Sequence, residues 1–522
     1  METFQKLNDF SEKRLRQCFR ILAVLAVFAP SVFALDNGLA RTPPMGWNSW
    51  NWFGCRNQYP GHGQLNEQMV HQMADTMVGQ GLKAVGFEFI NLDDCWGNPN
   101  RTATGGIAPD ASLFPAGMKA LCNYVHNKGL KLGIYTDAWN ATCANNIRGM
   151  YGREDQDADT FVAWGIDYVK VDNCYRPAEV DNGATQENAS RTQYVKIREA
   201  LKNAVTRGLA KGNTTAHPIV YSICNWGWGN VNTHWGDTVG NLWRIGGDIS
   251  IAWDEFWVQI NTATSLYNRA RPGAWNDPDM LEVGNGLTAN EDRVHFTVWC
   301  MLAAPLIAGN DLRSMNAATK TLMTNREIIL VNQDSLGSQG RVVSSNANQI
   351  VFSKKMKDGG YAVLYVNKAT SAATISCTWQ TIGTADPAGT GLAATKTMYG
   401  RNLFTHADMG PLTGSYSTSV PGHDCFLFRL SNSTTGTIDV HKQLSNGIGG
   451  FTIRQENGNI ILNPGTIGAV AMSIVNLQGA IVRSTQMCDA PWVISRNGIR
   501  AGMYFVKLAT DKGTISQKVL IK

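Results

Sequence analysis

The sequence predicts an α/β fold: a closed (β/α)₈ barrel, then an antiparallel β-sandwich and a small C-terminal β domain. Two patterns carry this reading. Between residues 43 and about 312, short apolar strands alternate with amphipathic helical stretches, eight times over. Alternation of this kind builds a parallel sheet, and a count of eight closes it. After about residue 320 the pattern changes to short alternating runs such as QIVFSKKM (349–356) and GYAVLYVNK (360–368), separated by Gly-rich turns; that is antiparallel strand. A chain of 522 residues is also too long for one core. With 43% hydrophobic and 17% charged residues it is neither disordered nor a polytopic membrane protein.

Residues 1–34 read as a secretory signal peptide. Lys13, Arg14, Arg16 and Arg20 precede the apolar run ILAVLAVFAP (21–30), and Val32-Phe33-Ala34 offers small residues before Leu35. Ten apolar residues are too few to span a bilayer. Five of the Lys/Arg and three of the Asp/Glu lie in this segment, and no basic block follows it. Nucleic acid and stable membrane insertion are therefore not expected. Export permits disulfides, and the cysteines show no CxxC metal spacing, so no metal or cofactor is expected.

The barrel is expected over 35–318. Its strand candidates are 43–50, 87–96, 131–138, 166–174, 219–227, 241–249, 274–284 and 305–312. Leu65, Met69, Val70, Met73 and Met77, at helical spacing, are expected to pack the first helix on the sheet. Nearly every strand starts apolar and ends in Asp, Asn, Trp or Cys. Strand C-termini of such a barrel converge on one mouth, so Asp93, Asp94, Asp137, Asp172, Asp248, Asp277 and Asp279 should crowd one rim. Asp137 and Asp311 could instead cap following elements. Fourteen of 16 Trp lie between residues 47 and 299. Trp164, Trp257 and Trp299 fall on helices and should pack; Trp50, Trp96, Trp226 and Trp275, at strand ends, are candidates for the mouth. Carboxylates beside flat indole faces suit sugar recognition. Glycoside hydrolysis needs two carboxyl groups, one ionised and one protonated. Asp172 suits the ionised role, since Lys170 on the same strand face would lower its pKa. Periodicity does not choose the second among Asp94, Asp248 and Asp279.

The strings PPMGWNSWNWFGC (43–55), INLDDCW (90–96), YVKVDNC (168–174), YSICNWG (221–227), WRIGGDI (243–249) and WNDPDMLEVGN (275–285) resemble glycoside hydrolase family 27, chiefly α-galactosidases, over residues 36 to about 430. The resemblance implies a retaining double displacement with Asp172 as nucleophile and Asp248 as acid/base. Arg244, four residues from Asp248, should by itself hold that carboxyl ionised; desolvation, substrate binding and the Asp172 charge are expected to offset it. The resemblance further implies substrate contacts from Trp50, Asp93, Asp94, Tyr135, Cys143, Lys170, Cys224, Trp226, Arg244, Asp279 and Met280. It implies disulfides Cys55–Cys95 and Cys143–Cys174 and a free Cys224; Cys377 and Cys425 are a candidate further pair. The expected partner is a carbohydrate with terminal α-galactose. Intact Asp94 disfavours a β-L-arabinopyranosidase, and the bulky Asn225-Trp226-Gly227-Trp228 run disfavours an α-N-acetylgalactosaminidase. Retention of both Asp172 and Asp248 disfavours a non-catalytic galactose-binding protein.

The sandwich is expected over 319–430 with no chemistry of its own, and SNSTTGTIDVHKQLSNG (431–447) as a polar linker. From about 448 to 522 the chain resembles the C-terminal sorting domain of type IX secretion, with Gly502, Tyr504, Val506, Gly513 and Lys518 in its pattern. That implies a secreted or cell-surface protein that meets the secretion machinery through this domain. The competing reading is a carbohydrate-binding sandwich using Phe451, Trp492, Tyr504 and Phe505.

Overall fold

The computed structural model describes residues 35, 37–55, 58–181 and 185–433, and beyond them 452–456, 459–463, 469–476, 481–486, 492–495, 498–500, 502–510 and 513–521. The segment expected to be a signal peptide, the body of the expected linker and Phe451 lie outside the described residues. The chain divides into two compact units at Thr434/Thr435.

In the first unit eight parallel strands run β1 (Met45–Asn48), β2 (Phe89–Leu92), β3 (Lys131–Asp137), β4 (Tyr168–Asp172), β5 (Val220–Ile223), β6 (Leu242–Arg244), β7 (Trp275–Asp277) and β8 (Leu306–Ala308). Each falls inside its expected window. Sequential strands pair in parallel, and β8 pairs with β1. The ring closes at Leu281, just past β7, which bridges Ala308; its N–H donates to the Ile307 carbonyl (2.8 Å) and its carbonyl accepts from Gly309 (2.9 Å). The interior is tight enough to dictate glycine: a Cβ on Gly133 would come 1.9 Å from Asn91 Oδ1.

The helices follow as α1 (Glu67–Gly79), α2 (Met118–Asn127), α3 (Glu154–Trp164), α4 (Gln186–Ala210), α5 (Gly236–Val239), α6 (Trp253–Ser265), α7 (Ala289–Met301), α8 (Ala317–Met323) and α9 (Arg326–Asn332). Asn66 caps α1 by accepting from Met69 N–H, and the methionine stripe is buried against the sheet as expected. Asp311 does cap, bonding Arg313 N–H (3.0 Å) at a short 3₁₀ turn. Asp137 does not cap a helix: it accepts from Trp139 and Cys174 N–H (both 2.7 Å), tying the loops after β3 and β4 together.

The segment expected to open the sandwich is helical first. Asn316 and Asn325 accept backbone N–H bonds at the starts of α8 and α9, and the sheet begins only at Arg341. Its strands are β9 (Arg341–Ser345), β10 (Gln349–Lys355), β11 (Tyr361–Asn367), β12 (Ala373–Thr378), β13 (Thr397–Asn402), β14 (Asp408–Thr413), β15 (Ser415–Val420) and β16 (Asp424–Ser431). A six-stranded sheet, β14-β13-β16-β11-β10-β9, faces the two-stranded antiparallel sheet β12–β15 across a core that includes Tyr365, Ile375, Trp379, Val420 and Phe428. Cys377 and Cys425 are both free thiols. They sit on different sheets: Cys377 belongs to the sandwich core, whereas the Cys425 Sγ meets Thr297 Oγ1 of α7 (3.3 Å).

The sheet docks on the barrel through α7, which packs against β10, β11 and β16. The buried Lys354 ammonium on β10 caps two helix ends, donating to the carbonyls of Val331 (2.6 Å) and Cys300 (3.4 Å). Burial pushes it down to about 8.

The second unit holds a three-stranded sheet (Thr452–Glu456, Asn459–Asn463, Trp492–Ser495) and a four-stranded sheet (Ala469–Asn476, Ile481–Gln486, Gly502–Thr510, Gly513–Ile521), both antiparallel. Gly502–Thr510 and Gly513–Ile521 pair as a hairpin, with Phe505 opposite Lys518. Tyr504 is buried in the core with Ile474, Val506 and Leu508, which removes it from any sugar-binding face. Among the described residues no helix is long and apolar enough to cross a membrane.

Arg293 of α7 grips Asp424 of β16 with two bonds (Nε–Oδ1 3.0 Å, Nη2–Oδ2 2.6 Å). Arg293→Ala would strand a carboxylate that is only 4% exposed and should cost about 2 kcal/mol. Denaturant unfolding checks this: an unchanged midpoint would mean that apolar contacts alone hold the sandwich to the barrel.

Candidate active site

A cavity of about 660 Å³ opens at the C-terminal ends of the barrel strands. Loops after β1 to β7 supply its walls, because side chains at strand ends point into the common mouth. From the expected set the lining contains Trp50, Asp93, Asp94, Tyr135, Cys143, Lys170, Asp172, Trp226, Arg244, Asp248, Asp279 and Met280. Cys224 does not reach it. The thiol is fully buried and accepts from Arg244 Nη1 at 3.7 Å, two residues before Trp226 (φ 56°), which does line the cavity.

Two of the strand-end tryptophans also turn away. Trp96 is buried and donates to the Tyr135 carbonyl (2.8 Å); Trp275 is buried and donates to the Ala40 carbonyl (2.7 Å). Their N–H groups are satisfied only inside the fold, which selects packing over the cavity. Asp137 and Asp277 likewise lie outside the lining.

Sequence reasoning missed Asn51, Gln58, Tyr59, His62, Ile249, Ser250, Ile251 and Glu282. Asn51, Ile249 and Glu282 adjoin residues that were expected, and neighbourhood could have flagged them. Gln58, Tyr59 and His62 come from an irregular loop with no periodic signal. His62 is fixed there by stacking on Trp52 (4.0 Å) and by its contact with the Trp52 carbonyl (2.8 Å).

Six carboxyl groups share the cavity with two cations. Lys170 Nζ bonds Asp93 Oδ2 (2.8 Å), which also accepts from Asn48 (2.7 Å). Arg244 Nη2 donates to Asp248 Oδ1 (2.9 Å) and the Gly247 carbonyl (2.7 Å) and forms an ion pair with Asp279 Oδ2 (2.9 Å). Asp94 accepts from Cys95 (2.7 Å) and Ala144 (2.9 Å) N–H; burial, with the Asp93 charge adding to it, raises its pKa. Burial pushes Glu282 up to about 7, opposed by its bonds to Asn285 and Asn51.

Asp172 departs from expectation. Lys170 lowers its pKa as expected, but burial is the larger effect, Asp93 adds to it, and the carboxyl rises to about 6. The Lys170 ammonium is engaged with Asp93. Asp248 goes the other way: burial raises it, yet the charge and hydrogen bond of Arg244 together outweigh burial and hold it below the usual carboxylate range. Its side chain is 75% exposed, so a molecule that covered it would add to the burial that already opposes Arg244.

Two disulfides brace the mouth. Cys55–Cys95 joins the loops after β1 and β2 (Cα–Cα 5.5 Å), and Cys143–Cys174 joins those after β3 and β4 (5.1 Å). Cys95, Trp226 and Asp279 all adopt positive φ at this rim, a strain that surrounding contacts must hold. Away from the cavity, Cys122, His126 and Asp167 bring possible metal ligands within 4.8 Å. There the Asp167 oxygens are already bonded to His126 (2.7 Å) and His217 (3.0 Å), and burial pushes the Cys122 thiol up to about 12. That group is a hydrogen-bonded brace at the entry to β4.

A (β/α)₈ barrel that gathers carboxylates, two cations and tryptophan faces in one strand-end cavity has the architecture of a glycoside hydrolase. Residues 42–334 match the family model described as Alpha galactosidase A, and 346–430 match the alpha galactosidase C-terminal beta sandwich domain. The chain belongs to the α-galactosidase A family. It is 40% identical over 403 residues to an alpha-galactosidase of Cyamopsis tetragonoloba (76% of this chain, 88% of the relative). It is 43% identical over 352 residues to alpha-galactosidase A of Cellvibrio japonicus (65% and 80%). The crystal structure of alpha-galactosidase I from Mortierella vinacea superposes with a TM-score of 0.68 at 34% identity, covering 76% of this chain and 99% of that one. Residues 454–522 match a secretion system C-terminal sorting domain.

The Asp172 shift has a measurable consequence. A carboxyl raised in the folded state favours folding below its unfolded pKa and loses that contribution as pH climbs through the folded one. Asp172→Asn should therefore unfold at higher temperature than wild type at pH 8, by the equivalent of about 2–3 kcal/mol. The gap should close toward pH 4. Equal melting temperatures at pH 8 would refute the raised pKa.

Proposed function

We propose that the protein is an exported retaining exo-glycosidase that hydrolyses terminal α-D-galactosyl residues from galacto-oligosaccharides or galactomannan. The observation that carries this reading is that Asp172 and Asp248 line one strand-end cavity, Asp248 paired with Arg244 and Asp172 buried within reach of Lys170 and Arg244. Membership of the α-galactosidase family supports the substrate class.

In this reading Asp172 is the nucleophile. Its carboxylate attacks the anomeric carbon while Asp248 gives its proton to the departing glycosidic oxygen. Water then attacks the same carbon of the β-linked galactosyl-enzyme, its proton passes to Asp248, and the bond to Asp172 breaks. Asp172, at about 6, is largely ionised at neutral pH. Asp248 is ionised in the free protein and must gain a proton in the complex. Its exposed side chain makes that possible: a bound galactosyl unit covers it, strips its water, and strengthens the burial that opposes Arg244.

Asp93 and Asp94 receive the 4- and 6-hydroxyls, Trp50 faces the apolar side of the ring, and Tyr135, Cys143 and Lys170 complete that wall. Trp226, Arg244, Asp279 and Met280 line the rest. Asp94, held by two backbone N–H bonds, leaves room for a 6-hydroxymethyl, which favours galactose over arabinopyranose. The bulk of Trp226 disfavours an N-acetyl group at the 2-position. The sandwich contributes support. The N-terminal segment directs export, and the C-terminal unit acts as a type IX sorting domain that meets the secretion machinery and delivers the protein to the medium or cell surface.

Side-by-side hydrolysis of nitrophenyl α-galactoside, β-L-arabinopyranoside and α-N-acetylgalactosaminide tests the substrate. We expect the first to be cleaved fastest, and no cleavage of it would sink the reading. Asp172→Ala should lose activity by about 10³-fold or more. Azide should partly restore it, yielding β-galactosyl azide. An α-configured azide would instead make Asp248 the nucleophile.

A further inference from the structure

Helix α7 lies between barrel and sandwich, and three of its polar side chains face the cavity's far wall. Asp292, His295 and Trp299 are three and four residues apart, which places them on one helix face. They bond the backbone of the loop after β7 in reverse order. Gly284 N–H donates to the Asp292 carboxylate (3.1 and 3.2 Å), Glu282 N–H donates to His295 Nε2 (2.9 Å), and Trp299 Nε1–H donates to the Asp279 carbonyl (2.9 Å). This loop carries Asp279, Met280 and Glu282 into the cavity. Asp279 has φ 88°, a conformation that a non-glycine residue keeps only when its surroundings impose it.

We propose that Asp292, His295 and Trp299 are positioning residues that register loop 279–284 so that Asp279 meets Arg244, and that through Arg244 they set the charge felt by Asp248. The inference rests on the reading of Asp248 as acid/base. Arg244 is shared between Asp279 and Asp248 through a single nitrogen, Nη2, with the buried Asp277 adding to the field it feels. The charged groups acting on Asp248 are Arg244 from β6 and Lys170 from β4. A loop that slackens frees Arg244 from Asp279, turns more of its charge on Asp248, and makes that carboxyl give up its proton at lower pH.

His295 is the central contact. Its Nε2 accepts, so its proton sits on Nδ1, which has no hydrogen-bond partner among the described residues. The ring packs between Phe256 (5.3 Å) and Trp299 (4.0 Å). Burial alone pushes its pKa down to about 3, so it remains a neutral acceptor across the working range.

The test uses the full-length protein and its His295→Phe, His295→Gln and Trp299→Phe variants. For each, kcat and KM on nitrophenyl α-galactoside are measured across pH 4–9 beside the melting temperature. His295→Phe keeps a flat ring but removes the acceptor, and should lower kcat/KM about tenfold, with the alkaline limb of kcat, which reports the enzyme–substrate complex, moved to lower pH. His295→Gln, whose amide oxygen can accept from Glu282, should recover most of that loss. Trp299→Phe should shift the limb in the same direction, and it carries the test if His295→Phe does not fold. Folded variants with a lower melting temperature but unmoved kcat/KM and limb would overturn the inference. An inactive wild type would sink the functional reading and this inference together; an active wild type with unmoved variants sinks only the inference.

Discussion

The buried guanidinium of Arg244 is the interaction on which the cavity depends. One of its nitrogens joins the loop after β6, through Asp248 and the Gly247 carbonyl, to the loop after β7, through Asp279. Six carboxyl groups could not be gathered in a partly dry mouth without such compensation, since an unpaired buried charge costs several kcal/mol. Lys170 plays the matching part for Asp93 on the opposite side. Asp172 lies within reach of both cations, yet neither is bonded to it, so burial decides its proton affinity.

This division of charge gives the two central acids opposite characters in the free protein. The more buried one is harder to ionise; the more exposed one is held ionised by its partner. The mechanism proposed for this cavity needs the reverse, and would obtain it from a substrate that covers the exposed Asp248 and changes its solvation more than that of the buried Asp172. In that reading the cavity is charged for binding first and for proton transfer only when filled.

Support reaches the cavity from outside the barrel strands. The two disulfides pin the irregular loops after β1 to β4 to one another. On the far side α7 serves instead, bonding the loop after β7 on one face while β10, β11 and β16 cover it. The sandwich, although it adds no lining residue, therefore buries the helix that supports the β7 loop.

The eight strands, their order and the rim of Asp and Trp residues were legible because a parallel barrel writes itself locally: apolar runs of strand length, polar residues at their ends, helices between. The six motif strings placed Asp172 and Asp248 in one site by resemblance. Side-chain direction at the strand ends was not legible. Trp96, Trp275 and Cys224 lie at the same strand ends as residues that line the cavity, yet all three are buried, the two indoles on backbone carbonyls of Tyr135 and Ala40 and the thiol against Arg244. Asn325 capped a helix where the sandwich was expected to have begun, and Cys377 and Cys425 proved to lie on different sheets. The balance at Asp172 also went against a local argument, because the Lys170 charge is visible in the sequence two residues away whereas burial is a property of the whole closed mouth. The sequence by itself determined which residues would meet at the barrel's end, since periodicity and spacing are local. Only the tertiary structure decided which of them face the cavity and which hold their protons, because desolvation and hydrogen-bond partners come from residues far away in the chain.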